Sequence, residues 1–331
     1  MDREKFIQAS ALIRVKEKKF LPGASLERLV EAKDLSEALK FLNDSIYQEH
    51  ISKLDKAQDY EKALEAQQKV TFKEVYDLCP DRRVVDLIAN NYYYHNVKIL
   101  VKDRALESDL SHLYIDIGDF DRIGVNKAID EDQKSDNEFL QGAKLAISEY
   151  DESKSPQNID LVIDNLYFKS LKKLADEMNV DLFKEYVRDL IDFTNISILL
   201  RMQNQNRDIS FLDKVLIPGG RIRIEDLDKY FYNKLEAESP LFKSLEIGKY
   251  LKEGIEDFNK TGSLSMLEEY RDNYFMEKIK KAKSITYGPE VIFAYLYAKE
   301  MEVKNLKIIL ICKLNGIEPS IIRERLRDSY V

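Results

Sequence analysis

The chain has 331 residues, 44% of them hydrophobic and 34% charged, and a formal net charge of −8. An acidic balance argues against a nucleic-acid binder, which needs a basic face, and suits a basic partner surface. Two distant cysteines, a charged start at Met1-Asp2-Arg3-Glu4-Lys5 and no apolar run near the ~18 residues of a spanning helix argue against a disulfide framework, an export signal and a membrane span.

Eleven Gly and seven Pro among many Leu, Lys and Glu favour helices, because helix interiors exclude the first two. The first helix spans 2–20, with Phe6, Ala9, Leu12 and Ile13 at helical spacing, and Leu21-Pro22-Gly23 ends it. Ser25 is placed as the cap of a short helix from Leu26, and Asp34 with Glu37 as a capping box before Ala38–Leu42. A helix over 56–78 closes at Cys79-Pro80, and another runs over 82–104. Residues 105–160 are the least periodic, with exposed loops expected at 130–137 and 149–157. Helices follow at 159–177 and 180–204, then a break at Ile217-Pro218-Gly219-Gly220. The rest reads as helices near 224–227, 239–251 and 263–282, a long one from Glu290 to Asn315-Gly316, and a last one from Pro319.

One pattern occurs three times: Asn, aliphatic, polar, Ile, aliphatic, aliphatic. It starts at Asn96, Asn195 and Asn305, and the steps between them are 99 and 110 residues. Basic residues end the runs, at Lys102, Arg201 and Lys313. This period is too long for a stacked solenoid and points to three related helical domains, placed at 1–112, 113–215 and 216–331. A buried Asn must find hydrogen-bond partners, so the repeated Asn reads as structural rather than partner-facing. Leu21-Pro22-Gly23 resembles Ile217-Pro218-Gly219, with Ile115-Asp116-Ile117-Gly118 as a degenerate third copy. The first copy follows the N-terminal helix, not an Asn helix. That offset is what a closed ring gives, with the N-terminal helix paired against the last unit. Gly219, Gly220, Arg221 and Arg223 form the candidate partner-contact loop, since loops on rigid scaffolds often carry binding residues.

Catalytic-looking strings are weak. Ser170-Leu171-Lys172-Lys173, Ser135-Asp136-Asn137 and Lys260-Thr261-Gly262 copy penicillin-recognising motifs in the wrong order and without a strand. They read as a solvated helix face and two polar loops. His50, His95 and His112 lack metal-ligand spacing, and Asn195-Ile196-Ser197, although a glycosylation sequon, sits in a buried-looking helix. No catalytic residue, cofactor or metal is expected.

The stretches Tyr287–Glu290, Ala294–Glu300, Glu302–Lys307, Lys313–Ile317 and Ile322–Leu326 closely resemble the C subunit of bacterial and archaeal V/A-type ATPases, whose eukaryotic counterpart is the d subunit. Residues 298–325 are the most specific, and the length, the Leu-Pro-Gly near Leu21 and the three Asn helices agree, while 105–160 match least. The resemblance implies an all-α, three-domain funnel or collar with pseudo-threefold symmetry. It implies a non-catalytic adaptor, peripheral on the cytoplasmic face. Its partners would be the axle subunits of D and F type and the proteolipid ring, with no nucleic acid and no small-molecule substrate. The ion, proton or sodium, belongs to the ring. The alternative is a helical-repeat scaffold of another pathway.

Overall fold

Helices are the only regular elements among the described residues. A computed structural model describes residues 1–118, 120–205, 212 and 214–331. In chain order the helices are α1 (Ile7–Glu17), α2 (Gly23–Glu31), α3 (Leu35–Phe41), α4 (Gln48–Ile51), α5 (Tyr60–Leu78), α6 (Arg83–Ala105), α7 (Arg122–Asp130) and α8 (Glu138–Ser153). They continue as α9 (Pro156–Met178), α10 (Asp181–Gln205), α11 (Ile224–Asp228), α12 (Gly248–Thr261), α13 (Ser265–Lys280), α14 (Pro289–Leu314) and α15 (Pro319–Arg323). The chain divides into two compact units, Met1–Val85 with Lys249–Val331, and Asp86–Gly248.

The first unit joins both ends of the chain around α14. Every residue from Pro289 to Lys299 is buried: Val291–Ala298 carry no charge on any side, as an enclosed helix requires, and Glu290 and Lys299 pair with Arg3 and Glu302. Pro289 at its first position pre-sets the helical φ, and Gly316 beyond its end has φ 65°, in the left-handed region that closes helices. The N-terminal helices α1, α2, α3 and α5 all pack on α14. Leu29, Val30, Leu39 and Leu64 meet Val303, Leu306, Ile309 and Leu310 in one core. Arg14 on α1 ties that helix down by donating to the carbonyls of Ala282 at 2.6 Å and Ile285 at 2.8 Å.

The second unit is built on α9, which packs against α8 on one side and α10 on the other. Tyr94, Val97, Leu100 and Val101 of α6 share a core with Leu140, Ala143 and Ala146 of α8 and with Ile159 and Ile163 of α9. Asp121 caps α7 by accepting the Gly124 N–H at 2.8 Å, and Asn137 caps α8 by accepting from Phe139 and Leu140.

Local readings depart from this in three places. Ser25 caps nothing: α2 starts at Gly23 after Pro22, so Ser25 already lies in its first turn. The stretch 149–157 is mostly helix, since α8 reaches Ser153 and Pro156 opens α9, leaving two linking residues. The helix expected at 239–251 starts only at Gly248, after a short 3-10 turn at Pro240–Phe242. In each case the polar letters marked a helix end correctly in kind, and misplaced it in position. The Asp34 box holds: Asp34 accepts the Glu37 N–H at 2.8 Å, and Glu37 reaches back to the Lys33 N–H at 2.7 Å.

Candidate functional site

The repeated Asn does the same thing in all three places. Asn96 Nδ2 donates to the Ile115 carbonyl at 2.8 Å, and the Ile115 N–H donates to Asn96 Oδ1 at 3.0 Å. Asn195 makes the same two bonds to Ile217, each 2.8 Å. Asn305 makes them to Arg327, at 2.9 and 2.8 Å. The clamped residues lie 19, 22 and 22 positions downstream. Each amide thus satisfies the N–H and C=O of one residue in a returning loop, where the backbone has no helix partner. All three Asn side chains are buried, so the Asn195 sequon is inaccessible to glycosylation.

A second grip lies three residues earlier, on the same helix face, and the sequence reading missed it. Tyr93, Asp192 and Glu302 occupy this position. Tyr93 lies against Gly118, where φ is +74° and an added Cβ would fall 2.1 Å from the Tyr93 hydroxyl. Asp192 accepts the Arg221 N–H at 2.9 Å and the Ile222 N–H at 3.0 Å. Glu302 accepts the Leu21 N–H at 2.7 Å, the Tyr47 hydroxyl at 2.9 Å and Lys299 Nζ at 2.6 Å. The signal was a hydrogen-bonding side chain at the same offset from each Asn.

The loop carrying Gly219, Gly220, Arg221 and Arg223 is therefore pinned to α10. Gly219 has φ +108°, and a Cβ on Gly220 would sit 2.2 Å from Asp192 Oδ1. Arg221 pairs with Asp189, Nε to Oδ1 at 2.7 Å, and that carboxylate is almost fully buried. Among the described residues Arg223 pairs along its own turn, with Asp226 at 2.9 Å, and its side chain is 72% exposed. Burial pushes the Asp192 carboxyl up to about 6, against the two N–H groups and Arg221 that favour its ionised form. The two arginines thus differ: Arg221 holds the fold, whereas Arg223 is presented to solvent.

In the first unit, buried Asp272 gathers Lys304 at 2.5 Å, Arg271 at 2.9 Å and Arg327 at 3.2 Å. Burial alone would raise its carboxyl, but the charges of Arg271 and Lys304 outweigh that and hold it below the usual Asp value. Arg327 is thus fixed twice, by backbone to Asn305 and by side chain to Asp272. Tyr330, further along the same segment, is buried beside Phe20, with ring centroids 5.6 Å apart.

The catalytic-looking strings have structural roles. Ser170 is buried, not on a solvated face, and its Oγ accepts from Asn90 at 3.0 Å. Asn137 is the α8 cap. Lys260 and Thr261 end α12, and Thr261 Oγ1 donates to the Asp257 carbonyl at 3.0 Å. His95 Nε2 lies 3.0 Å from the Leu113 carbonyl. Among the described residues no group of His, Cys, Asp and Glu could hold a metal ion, and no helix is long and apolar enough to cross a membrane.

The sequence matches the family described as ATP synthase (C/AC39) subunit over residues 9–325. It is 26% identical to the C subunit of the V-type sodium ATPase of Enterococcus hirae, covering 98% of both chains. It is 25% identical to the C subunit of the A-type ATP synthase of Methanocaldococcus jannaschii, over 98% of this chain and 87% of that one. The corresponding A-type protein of Pyrococcus furiosus is likewise 25% identical, over 95% of this chain and 88% of that one.

Proposed function

Because this chain belongs to the ATP synthase (C/AC39) subunit family, we propose that it is the central-stalk piece linking the rotating axle to the membrane proteolipid ring. The family match across nearly the whole chain carries the reading. It makes the chain a subunit of a rotary ATPase; the linking role, the axle subunits of D and F type, the ring and the cytoplasmic face are the finer part of the proposal. In this role the chain does no chemistry and transmits torque, so ATP hydrolysis elsewhere drives ion movement elsewhere.

Three related helical domains at 1–112, 113–215 and 216–331, arranged as a collar, belong to the same proposal. The support is the clamp, which recurs with the same atoms and nearly the same loop length. A torque-bearing part must not yield. Each clamp ties a loop residue to its helix with two hydrogen bonds, worth about 0.5–1.5 kcal/mol each net and more if one partner is orphaned.

For partner contact in the loop after Gly220, Arg223 is the better candidate, because Arg221 is occupied by Asp189. Arg223→Glu should weaken binding to the axle or the ring without loss of stability. Unchanged affinity for both removes this loop from the contact. The role itself is tested by reconstituting the ATPase without this chain: hydrolysis should persist while ion pumping is lost, and adding the chain should restore pumping. Pumping that is indifferent to the chain overturns the reading.

A further inference from the structure

We propose that the second unit holds a binding site for a small organic anion with an apolar body. The site is a cavity of about 550 Å³ between α6, α9 and α10, within the ~300–1,000 Å³ span of ligand pockets. Buried Tyr94, Phe168, Met202 and Ile217 contribute apolar wall. Such a wall recognises an apolar body.

Among the described residues, the ion pairs around the cavity leave one cation over. Lys98 lies 2.8 Å from Asp164 and 3.6 Å from Asp160, and Lys102 lies 2.8 Å from Asp160. Lys98 thus neutralises Asp164, and Lys102, from outside the cavity wall, neutralises Asp160. Arg201, from the next helix over, also lines the cavity and makes no ion pair among the described residues. A guanidinium with no ion pair among the described residues, beside an apolar wall, selects one anionic group, a carboxylate or sulfonate, to which it offers two parallel N–H donors. Lys98 cannot take that role without giving up Asp164.

The site also touches the scaffold. Ile217 lines the cavity and is the residue clamped by Asn195. A ligand seated there would contact three helices and the clamped loop at once. It would stabilise the folded state in proportion to its saturation. This inference is independent of the linking role: it concerns the isolated chain, and failure to bind the axle or the ring would leave anion binding intact.

The test uses the full chain and two fluorescent probes of similar body, anionic 8-anilinonaphthalene-1-sulfonate and uncharged N-phenyl-1-naphthylamine. Both should bind with a rise in melting temperature. Arg201→Gln, at an exposed position, should weaken the sulfonate by about tenfold, the size of one charge-assisted contact, and leave the uncharged probe unchanged. Arg201→Lys should recover part of the loss. Ile198→Trp, which fills the cavity from a half-buried position, should weaken both probes while circular dichroism stays native. Sulfonate affinity that is unmoved by Arg201→Gln, equal loss of both probes in that variant, or binding that survives Ile198→Trp overturns the proposal.

Discussion

Asn195 and Ile217 exchange two hydrogen bonds of 2.8 Å in opposite directions, so one side chain takes the place of a missing backbone partner. Both residues are buried. Because the same exchange joins Asn96 to Ile115 and Asn305 to Arg327, one small device fixes where three helices hand over to their loops.

Asn195→Ala should therefore be severe for an Ala substitution at a polar residue. It orphans a buried N–H and a buried C=O, at about 1–3 kcal/mol each. Asn195→Asp keeps the acceptor, loses the donor and buries a charge, so it should not rescue. Urea denaturation measures both; a loss under 0.5 kcal/mol, on the order of a surface change, would show that the clamp is not a stability element.

Gly220→Ala should destabilise by about 1–3 kcal/mol, as overpacking does, because its Cβ would meet Asp192 Oδ1 at 2.2 Å. Gly23→Ala is the control: nothing lies within 4 Å of its Cβ, and it sits in a helix, where Ala is preferred. Opposite signs in thermal melts are expected, and equal effects would contradict the close approach at Asp192.

The Asp192 carboxyl, raised by burial from 3.8 to about 6, binds its proton more tightly when folded. Its contribution to stability is present below its unfolded value and is lost as pH rises through about 6. At ~1.4 kcal/mol per pH unit, wild type should lose up to about 3 kcal/mol relative to Asp192→Asn across that window. Parallel pH profiles for the two proteins would remove the buried carboxylate from the account.

Asp272 behaves in the opposite sense. Its folded value is depressed, so its contribution is present above the unfolded value and is lost as pH falls through the folded one. Asp272→Ala leaves Lys304, Arg271 and Arg327 without their shared partner, and breaking such a buried cluster costs about 3–5 kcal/mol. Protease cleavage after Arg327 should then accelerate, since the Arg327 side chain loses its buried partner while Asn305, Asn273 and buried Tyr330 still hold the segment. Unchanged cleavage would mean that Asp272 does not hold this segment down.

Much of this was legible in the letters. The long helices showed because Ile, Leu and Tyr recur at helical spacing, and the three Asn stood out because the pattern around them occurs three times. What Asn96, Asn195 and Asn305 hold was not legible: two of the clamped residues, Ile115 and Ile217, are Ile but the third is Arg327, and a bond to backbone leaves no mark on the side chain it anchors. Asp192 and Glu302 were hidden for a related reason. Carboxylates are common in this chain, and only burial distinguishes these from solvated ones. Arg221 and Arg223 looked equivalent until Asp189 was found beneath the first. The cavity at Arg201 arises from residues of three helices far apart in sequence, which no local pattern brings together.

The most direct test of the linking role is a bridging measurement. Purified D- and F-type axle subunits are immobilised, and solubilised proteolipid ring is passed over them with and without this chain. The account predicts that the ring is retained only when the chain is present, in proportion to the chain bound. Retention of the ring without it, or failure of the chain to bind either partner, would contradict the account.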